Sequence, residues 1–71
     1  MSRSFAIILR EVRESTPDPE RPGKTLTQER MAEIIGVHVN TVRLYEWDKR
    51  LPHGIIRREI FRLFPSISNT V

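Results

Sequence analysis

Apolar positions recur along the chain at helical spacing in four stretches separated by breaks. In the first, Phe5, Ile8, Leu9 and Val12 share one side while Arg10, Glu11, Arg13 and Glu14 fill the other, which predicts a helix over about Arg3 to Ser15. The run Ser15-Thr16-Pro17-Asp18-Pro19-Glu20-Arg21-Pro22-Gly23-Lys24 then ends it, because prolines and a glycine packed so closely oppose regular structure. An exposed, mobile loop is expected over roughly 16–25. Arg21 or Lys24 on it would be available to a nucleic acid, although most such loops only connect.

A second helix starts cleanly. Thr27 suits the N-cap, and Glu29 in the first turn complements the positive end of the helix dipole. Met31, Ala32 and Ile35 form its apolar stripe. Gly36 falls just beyond, where a left-handed residue closes a helix. A third helix follows almost at once, from about Val39 to Trp47, ended by Asp48-Lys49-Arg50 and by Pro52. A fourth spans about Gly54 to Phe64, with Ile56, Ile60, Leu63 and Phe64 inward and Arg57, Arg58 and Arg62 outward. Pro65 stops it. The tail from Ser66 to Val71 reads as short, polar and disordered, with Ile67 and Val71 as its apolar residues. There is no internal repeat. The expected fold class is all-α, a compact bundle of four to five helices in a single domain.

Length and composition narrow the choice of function. At 71 residues the chain holds one modest core. It has no cysteine, so neither disulfides nor thiolate metal sites can staple it. The longest apolar run near the start, Phe5-Ala6-Ile7-Ile8-Leu9, is too short for a signal sequence or a membrane span, which makes a cytoplasmic location the expectation. The net charge of +3 is unevenly placed. Residues 1–35 balance, whereas residues 36–71 carry Arg43, Lys49, Arg50, Arg57, Arg58 and Arg62 against Glu46, Asp48 and Glu59. That half would suit a phosphate-lined surface. Enzymatic chemistry is not expected. His38 and His53 are the only histidines and lie on different elements, and neither metal-ligand spacing nor a nucleophile–base pair is present. No cofactor, metal or small-molecule substrate is implied.

The informative segment is Gln28 to Tyr45. Two short helices meet at Gly36 with almost no linker, an arrangement that needs a small residue (Ala32) where they cross, an apolar plug (Val37) and inner anchors (Met31, Ile35, Val42 and Tyr45). This is the plan of a helix-turn-helix, whose second helix can lie in a DNA major groove. On its other face Asn40, Arg43, Leu44 and Trp47 stand at i, i+3, i+4 and i+7 and form one line. Asn pairs with adenine, Arg with guanine, and an apolar tip meets a thymine methyl. His38 and Val39 would approach the groove first. A protein contact through Val39, Leu44 and Trp47 is the competing reading of the same line.

The run Leu26-Thr27-Gln28-Glu29-Arg30-Met31-Ala32, then Gly36-Val37, then Thr41-Val42-Arg43-Leu44-Tyr45-Glu46-Trp47-Asp48-Lys49-Arg50-Leu51-Pro52, resembles the lambda-repressor/Cro-like helix-turn-helix family over residues 26 to 52. The resemblance implies phage or bacterial regulators that bind operators as homodimers on double-stranded DNA. It implies base contacts from His38, Val39, Asn40, Arg43 and Leu44. It also implies phosphate contacts from Thr27, Gln28, Trp47, Lys49 and Arg50. It further implies that Glu46 pairs with an arginine of the first helix, for which Arg13 is the match; from the residues alone, a solvated pair with Arg43 or Arg50 is the alternative. The sequence departs from the family in three places. Asp48 replaces a usual glycine, which leaves either a tighter helix end or a strained left-handed turn, a conformation that Asp tolerates better than most residues. The Pro-rich segment is an insertion. Many members add a fifth helix that helps them dimerise, and here Ile67 and Val71 would instead offer a strand or an apolar plug.

Two rival readings remain. Val42-Arg43-Leu44-Tyr45-Glu46 also resembles the recognition segment of mercury-resistance-regulator-like winged helices, which predicts a β-hairpin after Leu51. From a different class, an antitoxin or anti-regulator would use the same fold to hold a protein. Its support is the apolar tips Ile34, Val39 and Leu44, and its binding would lack the steep salt dependence of phosphate contacts.

Overall fold

The computed structural model describes residues 4–70, with side chains described as far as Ile67. Among these residues there are five helices: α1 (Phe5–Ser15), α2 (Gln28–Ile35), α3 (Val39–Glu46), α4 (Gly54–Leu63) and α5 (Pro65–Thr70). The only β-type pairing among them is an isolated antiparallel bridge between Pro17 and Thr25. The fold is all-α. Its radius of gyration, 11.4 Å, is close to the roughly 11 Å of a compact folded chain of this length.

Local chemistry sets the helix ends. The Ser4 hydroxyl accepts from the Ile7 N–H at 3.3 Å and opens α1. Thr27 opens α2 as expected, its Oγ1 accepting from the Arg30 N–H at 3.1 Å. Each side chain satisfies one of the amide donors that a first helical turn leaves without a partner. At the other end of α2, Gly36 takes a φ of 89°. The Ala32 carbonyl then accepts from the N–H groups of both Gly36 and Val37, at 2.8 and 3.0 Å. A side chain at Gly36 would meet nothing within 4 Å, so the glycine is there for its backbone freedom rather than for space.

The two helices beside this corner lock through their inner sides. Met31, Ala32 and Ile35 of α2 and Val42 and Tyr45 of α3 are buried in one cluster with Ile8 and Leu9 of α1, Leu26, Ile60, Phe64 and Ile67. Phe5 packs edge-on against Tyr45, with ring centroids 6.4 Å apart and planes at 79°, a favoured aromatic geometry. Val37 sits half-buried against the same cluster, as its place in the corner predicts. So do Ile34 and Val39, each half-buried rather than freely exposed.

The Pro-rich segment forms a hydrogen-bonded turn around a buried aspartate. Asp18 is only 3% exposed, and its Oδ1 accepts from the Glu20 N–H at 3.0 Å while its Oδ2 accepts from Arg21 Nε at 2.9 Å. Arg30 Nε lies 3.4 Å from the same oxygen. The backbone closes across the segment, Asp18 N–H to the Lys24 carbonyl at 2.9 Å and Leu26 N–H to the Thr16 carbonyl at 3.0 Å. The prolines forbid a helix here but not a pinned turn. Arg21 donates to Asp18 and to the Thr25 carbonyl and so is engaged within the turn.

The tail is helical rather than disordered. Pro65 ends α4 and also opens α5, because the first helical position needs no amide hydrogen. Ile67 is fully buried, at 0% exposure, and so is not a plug for a second copy. Arg3, the expected start of the first helix, and Val71 lie outside the described residues. Finally, α4 follows Leu51-Pro52-His53 directly, where a winged helix would place a hairpin. No helix among the described residues is long and apolar enough to cross a membrane.

Candidate nucleic-acid interface

The ridge of α3 is fixed from behind. Val42 and Tyr45 face the core, and Glu46, one residue on, turns its carboxylate inward between α1 and α2. Arg13 of α1 donates Nε to Oε2 at 2.7 Å and Nη2 to Oε1 at 3.0 Å. Its Nη1 donates to the Leu26 carbonyl at 3.0 Å. Gln28 Nε2 donates to Glu46 Oε1 at 3.2 Å. The Glu46 side chain is 2% exposed, and its oxygens are satisfied by this fork and this amide. Of the two readings open to Glu46 in the sequence, the pair with Arg13 is the one formed, not a solvated pair with Arg43 or Arg50. Three helices are tied at a single carboxylate, so α3 has little freedom to roll.

The outer side carries the polar line. His38 is exposed and caps α3, its Nδ1 accepting from the Asn40 N–H at 3.0 Å. That bond also assigns the proton to the other ring nitrogen when the ring is neutral. Asn40 is exposed, and its Oδ1 accepts from Arg43 Nη1 at 2.8 Å. Arg43 Nη2 reaches across to Glu29 Oε1 of α2 at 3.5 Å. By its place in the sequence Glu29 shows only a first-turn role. Fourteen residues and a corner separate it from Arg43, and no local spacing announces that contact. Leu44 is half-buried beside this group.

The end of α3 turns the chain sharply. Asp48 takes a φ of 60°, a left-handed backbone conformation that aspartate tolerates better than most residues. Its N–H donates to the Tyr45 carbonyl at 3.2 Å, and the Lys49 N–H donates to the Leu44 carbonyl at 2.9 Å. This paired closure is the Schellman pattern. It leaves Trp47, Lys49 and Arg50 exposed together at the C-terminal end of the ridge, with Trp47 at 62%. Burial pushes the Tyr45 phenol above its ordinary pKa, while the nearby charge of Arg50 pulls it the other way.

Thr27 and Gln28 stand half-buried at the N-terminus of α2. Gln28 is the residue that links this end to Glu46. The basic side of α4 is partly occupied within the chain. Arg62 donates to both oxygens of Glu59, at 3.1 and 2.7 Å, and Arg57 lies over the Phe61 ring at 4.6 Å. Between α1 and α4, Phe5, Leu51, Pro52, Arg57 and Phe61 line a shallow apolar groove of about 330 Å³. Neither family models, curated proteins nor solved structures give a match to this chain.

Proposed function

We propose that this chain is a sequence-specific, duplex-DNA-binding transcriptional regulator, a small repressor acting as a homodimer, with α2 and α3 as its helix-turn-helix. It works by occupying a promoter site and performs no chemistry of its own. The observation that carries this reading is the division of α3. Val42, Tyr45 and Glu46 are buried and tied to two other helices, while Asn40 and Arg43 stand together on the outer side.

Arg43 reads guanine and Asn40 reads adenine, the pairings their side-chain geometry favours. His38, Val39 and Leu44 complete the base-facing surface. Trp47, Lys49 and Arg50 grip phosphates at one end, and Thr27 and Gln28 do so at the other. Phosphate contacts set position and salt dependence, and base contacts set sequence.

Selection of binding sites from random duplex DNA at physiological salt tests this. An enriched inverted repeat is the expected result, since a two-fold protein reads a two-fold site. Absence of any enrichment contradicts the proposal.

A second reading, a protein-binding module such as an antitoxin or anti-regulator, draws on the exposed Leu51 and Ile55 (76% exposed) near the apolar groove. Salt separates the two. DNA binding falls by orders of magnitude as salt rises, whereas apolar binding to a protein does not.

A further inference from the structure

We infer that Glu29 is a specificity-determining residue, acting on DNA sequence choice by positioning Arg43; the inference rests on the base-reading role proposed for Arg43. The Arg43 guanidinium is held from two sides by two different helices. Asn40 Oδ1 takes one nitrogen at 2.8 Å from within α3, and Glu29 Oε1 takes another at 3.5 Å from α2. An arginine on an exposed helix face ordinarily samples many rotamers. Here two acceptors restrict it before any DNA arrives.

That restriction bears unequally on the two kinds of contact Arg43 can make. A guanine presents N7 and O6 as two acceptors in one plane, which a pre-oriented guanidinium meets with little further ordering. A phosphate is satisfied by a positive charge in almost any orientation, and it gains nothing from the preset geometry. The carboxylate of Glu29 also opposes the drift of Arg43 toward neighbouring phosphates. Glu29 therefore widens the gap between the correct site and random duplex, although it need not touch a base.

Glu33 provides a matched control. It is also an exposed acidic residue of α2, but its partner is Arg30, at 2.7 Å. Removing its charge alters the field at the DNA without touching Arg43.

The test measures binding to a selected duplex and to the same duplex with the Arg43-read base pair exchanged. The proteins are wild type, Glu29→Gln, Glu33→Gln, Arg43→Ala and the Glu29→Gln/Arg43→Ala double variant. Thermal unfolding confirms that each is folded. Glu29→Gln is expected to lower the ratio between the two duplexes about two- to fivefold, the scale of an exposed ion pair. It should leave the preference at other base pairs intact and have no effect on the ratio in the Arg43→Ala background. Glu33→Gln should shift both affinities together and preserve the ratio. A Glu29→Gln ratio equal to wild type, with the ratio collapsed in Arg43→Ala, overturns this inference and leaves the base-reading proposal standing. A ratio unchanged in Arg43→Ala as well overturns both.

Discussion

Arg13 and Glu46, 33 residues apart, meet as a two-point fork at 2.7 and 3.0 Å. This fork joins the first helix to the end of the third and fixes which side of α3 faces outward. Arg13 also holds the Leu26 carbonyl, and Gln28 adds a bond to the same carboxylate. Removing one partner of a buried pair leaves the other charge without compensation. Glu46→Ala is expected to cost about 3 kcal/mol of stability, measured by urea unfolding. Glu46→Gln, which keeps the shape and one acceptor, should lose less. Unfolding of Glu46→Ala at the wild-type midpoint would show that the fork does not hold the bundle together.

Asp18 gives the stability a specific pH dependence. The Glu20 N–H and then the Arg21 side chain hold its carboxyl below the usual aspartate range; burial opposes them, and the charges of Arg30 and Arg21 add to the lowering. As pH falls, the unfolded chain therefore takes up this proton first. The contribution of Asp18 is complete above the ordinary aspartate pKa of about 3.9, and it is lost as pH drops through the lower folded value. Melting temperatures of wild type and Asp18→Asn should differ clearly near neutrality and converge below about pH 4. A gap of constant size down the titration would assign the effect of the substitution to shape alone.

Asp48 occupies a left-handed turn that glycine adopts without a steric penalty. Its φ of 60° places its Cβ in the conformation that costs ordinary residues about 1–2 kcal/mol. Asp48→Gly is expected to raise stability by about 0.5–1 kcal/mol, part of the relief being offset by the greater freedom of glycine in the unfolded chain. Thermal denaturation checks the sign. A destabilised Asp48→Gly protein would mean that the aspartate makes a compensating interaction of its own.

Ile67 ties the last helix into the core. Truncation to alanine should cost about 3 kcal/mol, the middle of the range for a fully buried isoleucine. The drop in melting temperature relative to wild type should be the same at low and high protein concentration. A drop that grows on dilution would move Ile67 from the core of one chain to a contact between copies.

The elements that the sequence displays are those set by near neighbours. Thr27, Gly36 and the stripes of α2 and α3 act within a turn or two, so their spacing alone foretells the corner and the buried sides of both helices. The left-handed turn at Asp48 is less legible, since spacing marks only the end of a helix there and the turn itself is suggested by the family resemblance alone. What escapes notice depends on contacts between distant segments. Asp18 looks like loop chemistry until Arg30 of α2 closes over it. Pro65 reads as a stop, yet a proline that ends one helix can open the next. Ile67 looks terminal and loose until α1 and α4 are in place to cover it. The fork from Arg13 to Glu46 is suggested only by the family resemblance; the residues alone leave a solvated pair with Arg43 or Arg50 as an equal alternative. The Glu29–Arg43 contact had no sequence signal at all.

Base reading by Arg43 is tested most directly by exchanging, one at a time, the base pairs of a selected duplex and titrating each against wild type and Arg43→Ala at one fixed salt concentration. Arg43→Ala should lose about 1–3 kcal/mol of preference at a single base pair and keep its preference elsewhere. Lys49→Ala and Arg50→Ala should instead weaken binding to every duplex alike and flatten the salt dependence. An Arg43→Ala profile that matches wild type at every position would contradict the assignment of the outer side of α3 as the DNA-reading surface.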